Sequence, residues 1–193
     1  MRWKRWEIAL AGSILAAILF CAFPAQAQSA LADKLVRLHV LANSDSEEDQ
    51  ALKLQVRDAV LAASAGAAVL DDALLAQLQR AAQRTVWQAG RQYKVRVSRE
   101  NCWFDTRVYE DFSLPAGYYD AVRVVIGAGE GHNWWCVIYP PLCAGACETD
   151  VETLAREAGL SEDEVGLICG EDGYAVRFRL AELWGQLLHW LKG

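Results

Sequence analysis

The most regular alternation of apolar and polar residues lies at positions 35–42, LVRLHVLA. One face would carry Val36, Leu38, Val40 and Ala42, and the other Leu35, Arg37, His39 and Leu41. A period of two residues is typical of a β-strand, because successive side chains point to opposite faces of a sheet. Since Arg37 and His39 share one face, the pattern predicts a strand that is buried on one side.

A helix is predicted directly after this strand. Two capping boxes are available there, Ser44 with Glu47 or Ser46 with Asp49, and the acidic first turn suits the positive end of a helix dipole. Apolar residues spaced three and four apart form the predicted buried stripe: Leu52, Val56, Ala59, Val60 and Ala63. Lys53, Arg57 and Asp58 fall outside this stripe.

The rest of the chain continues the alternation of helices and strands. Asp71 and Asp72 can cap a second helix that stops at Gly90, with a stripe of Leu75, Leu78, Ala82, Val86 and Ala89. Strands are predicted at 93–98, 118–126 and 134–139, a helix at 149–158, and at 174–191 either a strand with a helix or one continuous helix. These elements predict a single α+β domain, with a mostly antiparallel sheet packed against two or three helices.

The N-terminus has the features of a secretory signal peptide. Three basic residues precede an apolar run at 8–23, and Ala25-Gln26-Ala27 supplies an A-x-A cleavage site. An uncleaved anchor is the alternative, although the run is short for a membrane span. We therefore predict that residues 1–27 are a signal peptide and residues 28–193 an exported domain.

The charge of the exported domain excludes two classes of partner. Residues 1–27 contain three basic residues and one acidic residue, so 16 Lys and Arg remain against 24 Asp and Glu, a net charge of −8. No basic run offsets this acidity. We therefore expect no binding to nucleic acid or to anionic lipid.

The segment GHNWWCVIYPPLCAGAC at 131–147 concentrates residues that could carry chemistry. His132, Cys136, Cys143 and Cys147 loosely match zinc-ligand spacing, but export favours oxidised cysteines. We therefore predict no metal site. The favoured pairing is a Cys136–Cys143 disulfide, with Cys147–Cys169 as a less certain second bridge and Cys102 left free.

A catalytic signature is missing from the sequence. The three histidines are His39, His132 and His189, and the chain has no G-x-S-x-G, H-E-x-x-H or P-loop motif. We therefore expect a protein that is not an enzyme, with no cofactor and no small-molecule substrate. The alternative is a cell-envelope hydrolase or zinc enzyme that uses His39, His132 and the cysteines.

Two groups of polar and aromatic residues are candidates for binding a partner. The first group lies at the end of the first strand, where a structural hydrogen-bond network is the alternative interpretation. The second contains two adjacent tryptophans, which lie on opposite faces if the chain is extended, and tryptophan is enriched in interface hot spots. The candidate residues are Arg37, His39, Asn43, Asp45, His132, Asn133, Trp134 and Trp135.

Three segments resemble the stage II sporulation protein R family of endospore-forming bacteria. They are RLHVLANSDSEEDQALKLQVRDAVL at 37–61, NCWFDTRVYEDFSLPAGYYDAVRVVIGAGEGHNWWCVIYPPLC at 101–143, and VRFRLAELW at 176–184. The most specific motifs are LANSDS, LPAGxY and NWWCVxxPPLC. After Cys143 the sequence departs from the family pattern, so Cys147 and Cys169 look like additions and their pairing is in doubt as a family feature.

The resemblance implies a signalling role. Proteins of this family are exported from the forespore into the space between the forespore and mother-cell membranes. There they activate a membrane-bound aspartic protease in the mother-cell membrane, which processes the sigma-E precursor. The partner expected for this chain is therefore that protease.

Overall fold

The first predicted strand, β1 (Val36–Leu41), lies inside a four-stranded sheet. The structure is a computed structural model, and it describes residues 13, 30–67, 70–109, 112–140, 142 and 151–169. The predicted signal peptide, apart from Ser13, and the predicted elements at 174–191 lie outside the described residues.

The order of the elements agrees with the alternation of patterns in the sequence. After β1 come α1 (Glu47–Ser64), α2 (Asp72–Gln88), β2 (Val95–Phe104), β3 (Arg107–Val108), β4 (Ser113–Leu114), β5 (Gly117–Ile126), β6 (Asn133–Tyr139), α3 (Val151–Glu157) and α4 (Glu162–Cys169). Residues 30–34 add a helical turn before β1. The helix predicted at 149–158 corresponds to α3, whereas α4 and the small β3–β4 hairpin were not predicted.

The sheet is mixed, with strand order β2-β5-β1-β6. The strand β1 runs parallel to β5 and antiparallel to β6, and β2 runs antiparallel to β5. Two of the three pairings are therefore antiparallel, and the predicted α+β class is confirmed. Across this sheet, His39 lies between Arg123 on β5 and Trp135 on β6.

One face of the sheet, called here the helix face, is covered by α1 and α2. Ser46 caps α1 by accepting a hydrogen bond from the Asp49 backbone N–H, and Asp71 caps α2 in the same way from Leu74. The predicted stripes supply its core, with Leu52, Val56, Val60, Leu78, Ala82 and Val86 all buried. The helical periodicity is thus confirmed, although Ala89 is exposed, and of the two serines predicted as caps of α1 the structure uses Ser46 and not Ser44.

The prediction that β1 is buried on one side is wrong, because the opposite face is also covered over part of its area. Residues around the helical turn, the β3–β4 hairpin, α3 and α4 form a second core there, which includes Leu31, Leu35, Phe104, Leu114, Tyr119, Val137, Val165 and Ile168. Arg37 lies beneath this second layer and is 0% exposed. The strand is therefore central, with both faces buried.

The outer edge of β2 is closed by two glutamine side chains from α2. The Gln83 amide binds the backbone of Tyr93 and Val95, and the Gln79 amide binds that of Val95 and Val97. Each amide donates and accepts as a neighbouring strand would. This arrangement protects the first half of β2 from pairing with another strand.

Within the part of the chain that the structure describes, no helix is both long enough and apolar enough to cross a membrane.

Candidate functional site

Two loops meet at the carboxyl end of β1, and we call them together the loop junction: residues 42–46 and residues 127–132. Gly131 N donates a hydrogen bond to Ala42 O over 3.0 Å. A Cβ atom at Gly131 would overlap the backbone carbonyl of Ser44. The two loops can therefore approach this closely only because position 131 is a glycine.

Asn43 joins the two loops through its side-chain amide. Its Oδ1 accepts from the Ala128 backbone N–H at 3.0 Å, and its Nδ2 donates to Asp49 Oδ2 at 2.8 Å. Ser44 Oγ donates to the same carboxylate at 2.6 Å. Burial opposes ionisation of Asp49, but the hydrogen bonds from Ser44 and Asn43 outweigh it and hold its pKa below the ordinary value.

Asp45 and His132 form an exposed pair in the loop junction. Asp45 Oδ1 accepts from the His132 backbone N–H at 2.6 Å and lies 2.5 Å from His132 Nδ1. The side chains are 55% and 78% exposed, respectively. The backbone hydrogen bond from His132, followed by the side-chain one, lowers the pKa of Asp45. A partner could thus reach a pair whose geometry is already fixed.

Lys53, on α1, stabilises the loop junction through hydrogen bonds. Its Nζ donates to His132 O at 3.0 Å and to Gln50 Oε1 at 2.6 Å. Gln50 in turn donates to Ser44 O at 2.9 Å. Burial lowers the pKa of Lys53. Lys53 lies outside the buried stripe of the sequence pattern, yet it is only 5% exposed, because its ammonium group donates to a loop carbonyl.

His39 lies on the opposite face of the sheet, stacked on Trp135. The ring centroids are 3.7 Å apart and the planes differ by 12°. His39 is 8% exposed, and among the described residues its Nε2 has no hydrogen-bond partner. Burial lowers its pKa to about 4, against a smaller opposing effect of a side-chain hydrogen bond with Asn133. The imidazole is therefore neutral at pH 7.

Arg37 lies away from the loop junction, inside the second core. Its guanidinium carbon is 4.4 Å from the centroid of the Phe104 ring and 5.1 Å from that of Tyr119. It donates to the Tyr109 hydroxyl at 3.1 Å and to Cys136 O at 3.2 Å. Since Arg37 is fully buried, these contacts describe a packing role, and direct contact with a partner would require the second layer to move.

The adjacent tryptophans lie on opposite faces, as extended backbone predicts. Trp134 packs against the core of the helix face, with the Arg57 guanidinium 4.4 Å from its ring centroid. Trp135 packs against the second core, where Arg107 lies 5.4 Å from its ring centroid. Both rings are partly buried. Each tryptophan therefore combines a packing role with some accessible surface.

The residues with zinc-like spacing occupy different environments. Cys136 is buried on the helix face, whereas His132 is exposed in the loop junction. Among the described residues, no group of three His, Cys, Asp or Glu side chains could hold a metal ion. Cys143 and Cys147 lie outside the described residues, so the Cys136–Cys143 and Cys147–Cys169 disulfides stay predictions.

Both loops and both tryptophans lie inside a recognisable family region. Residues 32–149 match the family model described as stage II sporulation protein R, which is more than half of the chain. The chain belongs to the stage II sporulation protein R family. Stage II sporulation protein R of Bacillus subtilis (strain 168) is 35% identical over 78% of this chain and 80% of its own length. No solved structure matches the chain.

The structure brings together part of the site predicted from sequence. Asn43, Asp45 and His132 meet in the loop junction of this stage II sporulation protein R family member, and Asn133 follows it directly. His39 and Trp135 form a separate stack, and Trp134 lies on the other face. The structural importance of Gly131 was not predicted from the sequence. Its position in the glycine-rich turn GAGEGHN was the available signal.

Proposed function

We propose that this protein is an exported sporulation signal that activates a membrane-bound aspartic protease in the mother-cell membrane. The protein is made in the forespore and acts in the space between the two membranes. Activation of the protease triggers processing of the sigma-E precursor. Membership of the stage II sporulation protein R family carries this proposal.

Activation by a protein ligand requires a difference in affinity. The ligand must bind the active state of the protease more tightly than the inactive state, because equal affinity shifts no equilibrium. The loop junction suits this task, because its backbone is held before any partner binds: Asn43 accepts from Ala128 N–H, and Lys53 and Gly131 donate to backbone carbonyls. A preformed surface loses less conformational freedom on binding than a flexible one.

We place the contact surface at the exposed side of the loop junction. Asp45 and His132 are exposed there, and so is Asn133, which follows the loop junction directly. The partly buried Trp135 adjoins them on β6, and Arg37 is left out because it is fully buried. Such a surface offers hydrogen-bonding groups beside an aromatic ring, which is a common composition of interface hot spots.

The double substitution Asp45→Ala with His132→Ala tests this surface. We expect precursor cleavage to fall about tenfold or more in cells that co-express the protease and its precursor substrate, since hot-spot contacts contribute that much affinity. The cost in stability should be small, because both side chains are exposed and surface contacts of this kind contribute little. Cleavage is measured by immunoblot, and folding by thermal melting of the purified chain.

The matched control is Arg156→Ala with Glu162→Ala. This pair is also exposed, with a 2.8 Å contact, and lies beyond the region matched by the family. It should leave cleavage unchanged. Equal cleavage by the wild type and a folded Asp45→Ala/His132→Ala variant would remove the loop junction from the contact surface.

A further inference from the structure

A groove of about 610 Å³ opens on the opposite face of the sheet, in the area beside the second core. Leu41 and Val125 form an apolar floor, since they are cross-strand neighbours on β1 and β5. Arg96 follows on β2, directly across from Val125. Ala128 and Gly129 complete one end, so the groove is continuous with the loop junction.

The lining of the groove is basic, although the whole chain has a net charge of −6. Lys94, Arg96 and Arg123 line it, against one acidic residue, Glu100. Arg123 Nη1 lies 3.4 Å from Glu100 Oε2, and its Nε is buried without a hydrogen-bond partner among the described residues. Within the same part of the chain, the side chains of Lys94 and Arg96 are exposed and form no ion pair. The groove therefore has unused capacity for negative charge.

The edge of β2 restricts how a peptide could bind here. Gln79 and Gln83 already occupy the backbone groups of Tyr93, Val95 and Val97 at that edge. A partner segment cannot add to this part of the sheet as a further strand, so it would have to lie across the face. On the face, carboxylates would meet the guanidinium and ammonium groups while aliphatic side chains cover the floor.

We infer that this groove binds an acidic segment of the partner protein, one that carries carboxylates and at least one aliphatic side chain. The inference rests on the proposed function, in which the partner is the membrane-bound protease. It deepens that proposal by assigning the groove to a segment of the protease exposed between the membranes. The adjoining loop junction would contact the same partner.

The groove can be tested on the full chain alone. A decapeptide of alternating Glu and Leu is titrated into the wild type and into the groove variant, Lys94→Glu with Arg96→Glu. Calorimetry measures the binding. We expect the double reversal to weaken binding roughly tenfold or more, and added salt to weaken binding to the wild type, because the attraction is electrostatic. An alternating Lys and Leu peptide should not bind the wild type.

The matched control is Arg80→Glu with Arg84→Glu on α2. These two arginines are exposed and carry the same charge change on another surface. This control should keep the peptide affinity within about twofold of the wild type, the spread expected of substitutions away from a binding site. The inference would be overturned if both variants lost peptide affinity equally, or if a folded wild type did not bind the peptide. The inference would also be overturned if the wild type bound anionic-lipid vesicles and not the peptide, and if Lys94→Glu with Arg96→Glu abolished the binding to vesicles.

The same three proteins, which are the wild type, the groove variant (Lys94→Glu with Arg96→Glu) and the α2 control, are then compared with Asp45→Ala/His132→Ala for binding to the detergent-solubilised protease. Loss of protease binding in the groove variant and not in the α2 control supports the assignment of the acidic segment to the protease. Full protease binding by the groove variant overturns that assignment and leaves the proposed function standing. A wild type that binds the peptide but not the protease contradicts the proposed function itself.

Discussion

Replacement of Gly131 by alanine is expected to lower the free energy of unfolding by about 2–3 kcal/mol. A Cβ atom at this position would overlap the carbonyl carbon and oxygen of Ser44, which belong to the backbone and cannot rotate away. The overlap is relieved only if the two loops separate. Their separation breaks the hydrogen bond from Gly131 N to Ala42 O. The measurement is urea unfolding of the purified variant.

Gly66→Ala provides the control for loss of a glycine. Gly66 has a φ of +76°, and among the described residues no atom beyond its chain neighbours lies within 4 Å of the place that an alanine Cβ would take, so the left-handed backbone is the main obstacle to a side chain there. That conformation costs about 1 kcal/mol in a residue other than glycine. A Gly131→Ala variant no less stable than Gly66→Ala would show that close packing of the two loops does not determine stability here.

The stability of the protein is expected to fall as the pH is lowered from about 7 to 4, with His39 as a main cause. Burial lowers the pKa of His39 from 6.5 to about 4, so the unfolded chain binds a proton that the folded chain excludes between these values. Stability then rises with pH through this window and is lost on acidification. The full shift corresponds to about 3 kcal/mol.

The substitution His39→Phe isolates this contribution. Phenylalanine preserves an aromatic ring against Trp135 but cannot be protonated, so unfolding free energies measured at pH 4 and pH 7 should differ by about 3 kcal/mol less than in the wild type. Phe112→Leu is the control, since it alters an aromatic residue of the second core without removing a titratable group, and it should retain the wild-type pH dependence. The same pH dependence in His39→Phe as in the wild type would refute the assignment to His39.

Periodicity predicted the elements that pack against a regular surface, such as one face of the sheet. Leu52, Val56 and Val60 repeat at helical spacing because they pack against one face of the sheet. Ser46 caps α1 through a hydrogen bond with Asp49, only three residues away. Such local and repeating causes are visible in the sequence. The order of strands and helices and the α+β class followed from them.

Burial on the opposite face could not be predicted in the same way. Arg37 is a polar position in the alternation, yet Phe104 and Tyr119 from distant strands cover its guanidinium group. Lys53 is buried for a similar reason, because it reaches a carbonyl 79 residues further along the chain. These causes depend on contacts between remote segments, and a hydrophobic period does not record them.

The candidate site was predicted in composition but not in arrangement. Asn43, Asp45 and His132 were each candidates, and the structure joins them because β1 and β6 are neighbours in the sheet. The sequence contains no indication that His132 would bind Asp45 and not a cysteine. The basic groove was equally hidden, since Arg96 and Arg123 meet only through the pairing of β2 with β5.

Reconstitution of sigma-E precursor cleavage tests the central claim most directly. The protease is placed in vesicles with its precursor substrate on the inner side, and the purified full chain is added from the outer side. We expect cleavage to begin on addition of the wild type and to be strongly reduced with the Asp45→Ala/His132→Ala variant. No cleavage with a demonstrably folded wild type, or equal cleavage without any added chain, would contradict it.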